Sequence, residues 1–227
     1  MTNRAALRRF LAFLLAAAPW VPACRPSPAD HATGSARSGP QAVPQGTARR
    51  SDPVPACGGR CGAERWAIKT LSDRRRDEVR TDTVVATTID HLIAIPAPAQ
   101  TTPYRRIAPV ETTVYRVEAR LVGWVRERDH DFHLILASPR DPSATMVAEI
   151  PDPECAGACL SGYSEAFARM RQEVVQRFEA SGAVPGGSEE APLVTITGVG
   201  FFDREHEQRG AAPNQIELHP VLSLRFR

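Results

Sequence analysis

Several features that define common protein classes are missing from this sequence. Among its 227 residues there is a single lysine, Lys69, and only 6% are aromatic. No apolar run reaches the length of about 18 residues that a transmembrane helix needs. The sequence contains no G-x-S-x-G nucleophile motif, no glycine-rich phosphate loop and no H-E-x-x-H zinc motif. It therefore lacks the local signatures of α/β-hydrolases, P-loop proteins and zinc metalloproteases.

The positive charge of the chain is concentrated towards its N-terminus. The whole sequence has 28 basic and 26 acidic residues and a pI near 8.4. Residues 61–227 alone contain 20 basic and 24 acidic residues, a net charge of −4. A domain with a net negative charge does not attract the phosphate backbone of a nucleic acid. The basic pI therefore does not indicate a nucleic-acid partner.

The first 24 residues are typical of an export signal. The first nine contain three arginines and no acid, and an apolar run of twelve residues follows at 10–21. The letters VPAC at 21–24 resemble the lipobox of bacterial lipoproteins, in which the cysteine is lipidated. We predict a signal peptide at 1–23, a lipidated Cys24 and a membrane-anchored location in the cell envelope. Cleavage after Ala23 with secretion, or an uncleaved anchor, are the alternatives.

A segment of low hydrophobicity follows the signal. Residues 24–56 are rich in Pro, Ser, Gly, Ala and Arg and contain almost no large apolar side chain. Such a segment cannot bury enough apolar surface to offset the entropy lost on ordering. We predict a disordered tether with an average reach on the order of 30 Å, which would hold the following domain close to the membrane.

Four cysteines follow in two C-x-x-x-C pairs: Cys57, Cys61, Cys155 and Cys159. An exported chain meets oxidants, so disulfides are favoured over a four-thiolate zinc site. Three connectivities are possible. We prefer the cross-linked arrangement, Cys61 with Cys155 and Cys57 with Cys159. Bridges that close loops of about a hundred residues constrain the unfolded chain more than two local rings would.

From residue 111 onwards the hydrophobic pattern predicts five strands and one helix. Apolar and charged residues alternate over 115–125, which is typical of a long strand with one buried face. Gly123 is placed to bend this strand. A helix is predicted from Ser164, its N-cap, to the region of Phe178. The other strands are predicted at 131–137, 144–150, 193–202 and 215–226.

This order of elements resembles the OB-fold, a five-stranded Greek-key barrel. It predicts a mainly β (α+β) domain at 111–227, with the helix between strands 3 and 4. An open α+β sheet and a staphylococcal-nuclease-like domain are the alternatives. Residues 57–110 have too few apolar side chains for a core of their own. We interpret them as a packing extension, with a short strand at 65–70 and a short helix at 88–95.

Five segments of the domain carry a family resemblance. They are CGAERWAIKT at 61–70, DFHLIL at 131–136, AEIPDPEC at 148–155, TGVGFFD at 197–203 and APNQIELHPVL at 212–222. They resemble a family of uncharacterised exported bacterial proteins and lipoproteins with an OB-like barrel. The resemblance covers about residues 61–226 and implies an exported globular domain. It implies no activity and no site residue.

Strand alternation places four titratable side chains on the outer face of the predicted barrel. His133 faces outward from the second strand, Glu149 from the third, and Glu217 and His219 from the fifth. These strands are neighbours in an OB barrel, so the four side chains are expected to meet. Imidazoles and carboxylates together can bind Zn²⁺ or Mn²⁺, or act as acid and base on a bound water. The plainer interpretation is a set of charge pairs on a solvated face.

Two neighbouring loops of the predicted barrel supply further candidates. Asp129 and Asp131 belong to the first hairpin, and Asp203 and His206 to the loop before the last strand. Functional residues are often found on loops. Charged residues also fill ordinary turns, so solvated turn residues are the simpler interpretation.

Three aromatic residues could form a stacking platform for nucleic-acid bases: Trp124, Phe201 and Phe202. Such platforms combine aromatic rings with a positively charged groove. Here the few flanking arginines are offset by acids, and the chain has one lysine. We therefore assign these rings to packing.

These observations predict a non-enzymatic binding or accessory module of the cell envelope. Its expected partners are the membrane, reached through the lipid anchor, and a protein, glycan or small ligand. No cofactor is expected. The alternative is a metal-assisted hydrolase that is nuclease-like in strand order and uses Zn²⁺ or Mn²⁺ at the four titratable side chains. Convergence of those side chains to within about 4–5 Å would favour the alternative.

Overall fold

In the described part of the chain, six β-strands form one sheet. The computed structural model describes residues 57, 59, 61–179, 191–205 and 208–227. The predicted signal peptide, Cys24 and the tether lie outside the described residues, as does His206. The strands are β1 (Val84–Ala86), β2 (Val114–Arg126), β3 (Phe132–Ala137), β4 (Thr145–Ile150), β5 (Leu193–Phe202) and β6 (Ile216–Phe226).

Five of these strands close into a barrel. They follow one another in the order β2-β3-β4-β6-β5, and β5 pairs back onto β2. The β4–β6 pair is parallel and the other barrel pairs are antiparallel. This is the OB-like barrel that the sequence predicts. β1, which the sequence pattern does not reveal, adds a short parallel strand to the start of β2.

The long β2 strand is bent so that it can pair with two neighbours. Val117, Ala119 and Leu121 are fully buried and alternate with charged side chains. The register of the β2–β3 pair shifts between Leu121 and Gly123, which marks a β-bulge at the predicted bend. The first half of β2 pairs with β5 and the second half with β3, so the bulge contributes to the closure of the barrel.

Besides the strands, the described ranges contain three α-helices: α1 (Trp66–Lys69), α2 (Ile89–Ile93) and α3 (Ser164–Glu179). The longest, α3, lies between β4 and β5, which are the third and fourth strands of the barrel. Its buried stripe is Phe167, Met170, Val174 and Phe178. The spacing of three and four residues puts these side chains on one face of the helix, against the main core.

Part of the chain before the barrel packs onto the barrel core. Ile89 and Leu92 of α2 belong to the main core, and Thr88 caps this helix by accepting a hydrogen bond from the His91 amide at 3.1 Å. The strand expected at 65–70 is wrong, because this segment forms α1. In one helical turn the Thr70 amide donates to the Trp66 carbonyl, so the backbone is satisfied without a partner strand.

Two disulfides attach the start of the domain to the barrel. Cys57 pairs with Cys159 and Cys61 with Cys155, which is the cross-linked arrangement. No thiolates are therefore left for a four-cysteine zinc site. Beside the bridges, the Gly62 amide donates to the Asp129 carbonyl at 3.1 Å. Residues 61–73, called the covering segment below, are thus fixed beside the β2–β3 hairpin.

The disulfides also indicate where the protein resides. Such bonds persist in oxidising compartments and are rare in the cytosol, so the structure indicates a non-cytosolic, oxidising location. Within the part of the chain that the structure describes, none of the helices has the length and apolar character needed to cross a membrane.

Candidate functional site

Four titratable side chains come together on the outer face of β3, β4 and β6. The strand register places His133 opposite Glu149 and sets Glu217 beside Val147. His219 comes two residues after Glu217 and therefore shares its face. The set that strand alternation predicts is thus assembled by the three neighbouring strands.

These side chains are buried, in contrast to the solvated face expected of simple charge pairs. Each of the four is at most 3% exposed. The covering segment and the loop between β5 and β6 shield them from solvent. Lys69 of the covering segment is itself buried, and the carbonyl of Arg209 in the loop accepts a hydrogen bond from His133 Nε2 at 3.0 Å. We call the buried group, together with Asp131, the carboxylate–imidazole cluster.

The carboxylate of Glu149 links the two histidines of the cluster. Its Oε1 lies 3.1 Å from His133 Nδ1, and its Oε2 lies 3.1 Å from His219 Nδ1. His219 Nδ1 is also 3.0 Å from Glu217 Oε1. The four side chains thus form a continuous chain of contacts, each about the length of a hydrogen bond.

Asp131 belongs to the same cluster, although its sequence position suggested a loop residue. It directly precedes β3 and its side chain is fully buried. Its Oδ1 accepts a hydrogen bond from the Asp152 amide at 3.2 Å. Its Oδ2 lies 3.3 Å from His219 Nε2, but these two buried atoms are not aligned for a hydrogen bond and have no other hydrogen-bond partner.

The only lysine of the chain lies beside the cluster. Lys69 Nζ is 3.5 Å from Asp203 Oδ2 and 5.3 Å from the centre of the Phe201 ring. Asp203, a predicted loop candidate, is therefore an ion-pair partner at the edge of the site. Sequence reasoning missed Lys69, although a solitary lysine inside one of the resembling segments was a signal that could have identified it.

A second buried cation holds the covering segment in place. Arg65 makes a two-pronged ion pair with Glu111, at 2.6 and 2.8 Å, and also donates to the Phe202 carbonyl at 3.1 Å. The guanidinium lies 4.5 Å from the centre of the Phe201 ring. Such a pair combines charge with fixed geometry, so it orients the segment that carries Lys69.

The carboxyl groups of the cluster have pKa values that are shifted in opposite directions. Burial alone would raise the pKa of Glu149, but hydrogen bonds from His133 and His219 hold it well below its usual value. Burial, followed by the negative charge of Glu149, raises the pKa of Glu217 to about 7. Burial is also the main cause of the raised pKa of Asp131. Glu149 is therefore the permanently ionised carboxylate of the site.

The basic groups of the cluster are held in their charged forms. Burial would lower the pKa of His219, but the carboxylates of Asp131, Glu149 and Glu217 raise it well above its usual value. The pKa of Lys69 is likewise raised despite burial, chiefly by Glu217 and Glu149. Without a metal ion, these protonated groups are the counter-charges of the buried acids.

An open cleft of about 550 Å³ leads from the surface to Glu149. Lys69 and Asp203 also line it, and Asp129 of the β2–β3 hairpin stands on its rim. Ala63 is the one apolar residue among those that line it. The others are Glu64, Lys69, Glu127, Arg128, Asp129, Glu149, Asp203, Arg204, Gln208 and Arg209. The cleft is therefore suited to a polar ligand.

The aromatic residues near this face are used in packing. Phe201 is fully buried, with its ring centre 5.7 Å from that of His219. Phe202 belongs to the main core. Trp124 is partly buried against Phe132 and Phe178, with ring centres 4.7 and 6.5 Å away.

No family model, curated protein or solved structure matches the chain. The function therefore has to be argued from the chemistry of the site. Its carboxylates and imidazoles are ligands that divalent transition metals accept, and they are also groups that donate and accept protons.

Proposed function

We propose that the chain is an exported, membrane-tethered binding module of the cell envelope, and that its ligand occupies the cleft above the carboxylate–imidazole cluster. The observation that carries this proposal is a polar cleft with buried ionised groups at its floor. Buried charged groups are costly to maintain. A fold that keeps such groups together beside an open cleft is well explained if a ligand uses them.

The export and lipid-anchor parts of the proposal rest on the sequence. The lipobox-like letters at 21–24 and the short apolar run before them support a lipidated Cys24, and the five resembling segments support a family of exported lipoproteins. The disulfides are compatible with this location. A tether at 24–56 would then place the cleft within a few tens of ångströms of the membrane.

The size and charge of the cleft define the kind of ligand. A volume of about 550 Å³ falls within the range of about 300–1,000 Å³ typical of small-ligand sites. Acidic and basic side chains both line it, and two of them, Arg204 and Glu64, form an ion pair at 2.6 Å. We expect a small polar ligand, or a polar terminal group of a larger molecule, that offers both donors and acceptors.

Photo-crosslinking in living cells tests this proposal. p-Benzoylphenylalanine in place of Arg128, on the cleft, should give a discrete adduct with an envelope component on irradiation. The same residue in place of Arg169, exposed on α3, is the matched control and should give none. Equal labelling from both positions, or no adduct from Arg128, would contradict a ligand site in the cleft.

A second candidate is a metal-assisted hydrolase, which the convergence of the cluster favours. His133, Glu149, Glu217 and His219 meet within hydrogen-bonding distance, and Glu149 is reached through the cleft. Turnover of bis(p-nitrophenyl) phosphate with added Zn²⁺ or Mn²⁺, lost in Glu149→Gln, would support this candidate. If the purified chain binds its ligand but shows no turnover above buffer, the hydrolase candidate is rejected and the binding module is retained.

A further inference from the structure

We propose that Asp131, Glu149 and His219 form a binding site for a divalent transition metal ion, with Zn²⁺ as the best match. This inference deepens the proposed function, because it names the ion at the floor of the cleft. Each of the three residues offers a ligand atom, and these atoms lie within 4.8 Å of one another. The set differs from the one that strand alternation suggests, since Asp131 takes part and His133 and Glu217 support it.

Two unpartnered atoms mark the position of the ion. Asp131 Oδ2 and His219 Nε2 are fully buried, lie 3.3 Å apart and have no hydrogen-bond partner. A buried polar atom without a partner costs about 1–3 kcal/mol. Two ligands of a tetrahedral zinc ion, with bonds of about 2.0–2.1 Å, are separated by about 3.3 Å. The pair therefore has the spacing that one ion between them requires.

The other nitrogen of His219 is already oriented for this role. Nδ1 lies 3.0 Å from Glu217 Oε1 and 3.1 Å from Glu149 Oε2. An Nδ1–H that donates to a carboxylate fixes the tautomer in which the lone pair of Nε2 is free. Carboxylate–histidine–metal arrangements of this kind are usual at zinc sites. Glu217 is thus a positioning residue that acts through His219.

The two carboxylate ligands are also held in place. The Asp152 amide donates to Asp131 Oδ1 at 3.2 Å, which leaves Oδ2 directed at His219. His133 Nδ1 contacts Glu149 at 3.1 Å, and the ring of His133 is fixed by its bond to the Arg209 carbonyl. Glu149 lines the cleft, so the coordination sphere faces solvent on that side and can accept a water or a ligand group.

The carboxylates around His219 favour a cation at this position. Oxygen atoms of Asp131, Glu149 and Glu217 each lie within 3.3 Å of a ring nitrogen of His219. A divalent ion at His219 Nε2 would add two positive charges among these buried acidic groups. Charge balance is what stabilises ionised groups away from water.

Zinc binding to the full mature chain tests the inference. Isothermal titration with ZnCl₂ should give one equivalent at the cluster. Asp131→Asn, close in shape to the native residue, should weaken binding by about 100-fold or more, since it removes a ligand and exceeds the 10–100-fold effect of an outer-sphere change. Asp77→Asn, an aspartate with a side chain 95% exposed that does not line the cleft, should leave the affinity unchanged. Cobalt substitution should add visible absorption typical of a tetrahedral ion, which Asp131→Asn abolishes.

Several results would overturn the inference. Absence of stoichiometric Zn²⁺ and Mn²⁺ binding by a folded chain would do so, and so would zinc binding that Asp131→Asn and His219→Gln leave intact. Thermal unfolding of each variant shows whether it is folded, so loss of binding in a folded Asp131→Asn chain supports the site. The photo-crosslinking experiment at Arg128 does not depend on whether the chain binds a metal ion. A crosslink without metal binding would therefore reject the ion and retain the binding module.

Discussion

Lys69 is a buried cation that depends on the carboxylates around it. Its ammonium is 6% exposed and lies beside Asp203 and the carboxylates of the cluster. Removal of one partner from a buried charge pair leaves the other uncompensated and typically costs about 3–5 kcal/mol. The single lysine therefore matters more to this fold than its place on a short surface helix suggests.

We predict that Lys69→Met lowers the free energy of unfolding by about 3–5 kcal/mol. Urea-induced unfolding followed by circular dichroism measures the loss. Arg80→Met is the matched control, because Arg80 forms an exposed pair with Asp82 at 3.5 Å. Exposed pairs contribute at most about 1 kcal/mol. Equal effects of the two substitutions would contradict a buried role for Lys69.

Glu217 gives the metal-free protein a distinct pH dependence. Its pKa in the folded chain is about 7, raised by burial and Glu149 from 4.5. Between these values the folded state keeps a proton that the unfolded chain has released. The stability from this group is therefore fully present below about pH 4.5 and is lost as the pH rises through about 7.

Glu217→Gln removes this titration, so the variant should gain stability relative to the native chain as the pH is raised from about 5 to 8. Urea unfolding in the presence of a chelator at several pH values measures the difference. Glu118→Gln, which alters an exposed carboxylate paired with Arg227, should show no such trend. A difference between Glu217→Gln and the native chain that stays constant with pH would be inconsistent with a buried, protonated Glu217.

At the scale of elements, the covering segment depends on bonds that are distant in sequence. The Cys61–Cys155 and Cys57–Cys159 bridges span 94 and 102 residues. Loop-closure entropy predicts about 4–5 kcal/mol for the first bridge that closes this loop of about a hundred residues. Once it is present, the other bridge closes a ring of only about ten residues and adds about 2–3 kcal/mol.

We predict that Cys61→Ser/Cys155→Ser and Cys57→Ser/Cys159→Ser each lower the free energy of unfolding by about 2–3 kcal/mol, because the remaining bridge still closes the long loop. Equilibrium denaturation in guanidinium chloride compares the two double variants with the native chain. Phe167→Ala on α3 serves as a reference of known mechanism, with an expected cost of about 3–5 kcal/mol for a large core side chain. A double variant as stable as the native chain would reject the loop-entropy account for that bridge.

The barrel strands and α3 could be predicted because their signals are local. Period-two alternation identifies β2, and a stripe of apolar residues identifies α3. Ser164, expected as the N-cap, is instead the first residue of α3. The strand order then brings His133, Glu149 and the start of β6 together. β1 could not be found in the same way, since three exposed residues carry no alternation and their parallel partner is 30 residues away.

The burial of the cluster could not be predicted, because it depends on contacts between distant parts of the chain. The segment at 65–70 was wrongly expected to be a strand, and its position over the barrel is set by the disulfides and by Arg65 with Glu111. Asp131 was recognised as a candidate, but its contact with His219 joins the hairpin to the last strand. Local periodicity contains no information about such contacts.

At the scale of the whole molecule, the proposal depends on the lipid anchor expected at Cys24. We predict that Cys24→Ser releases the protein from membrane fractions into the soluble envelope or medium. Fractionation followed by immunoblotting measures this, and Ser35→Ala in the predicted tether is the control that should remain with the membrane. Unchanged membrane association of Cys24→Ser would reject lipidation as the anchor.

Anomalous diffraction at the zinc edge, from crystals of the mature chain grown with Zn²⁺, would locate the proposed ion. We expect one strong peak within about 2.0–2.2 Å of both Asp131 Oδ2 and His219 Nε2, with Glu149 as the ligand on the side of the cleft. An unoccupied cluster, with peaks only at surface residues such as His91 or His130, would contradict the assignment of this site to a metal ion.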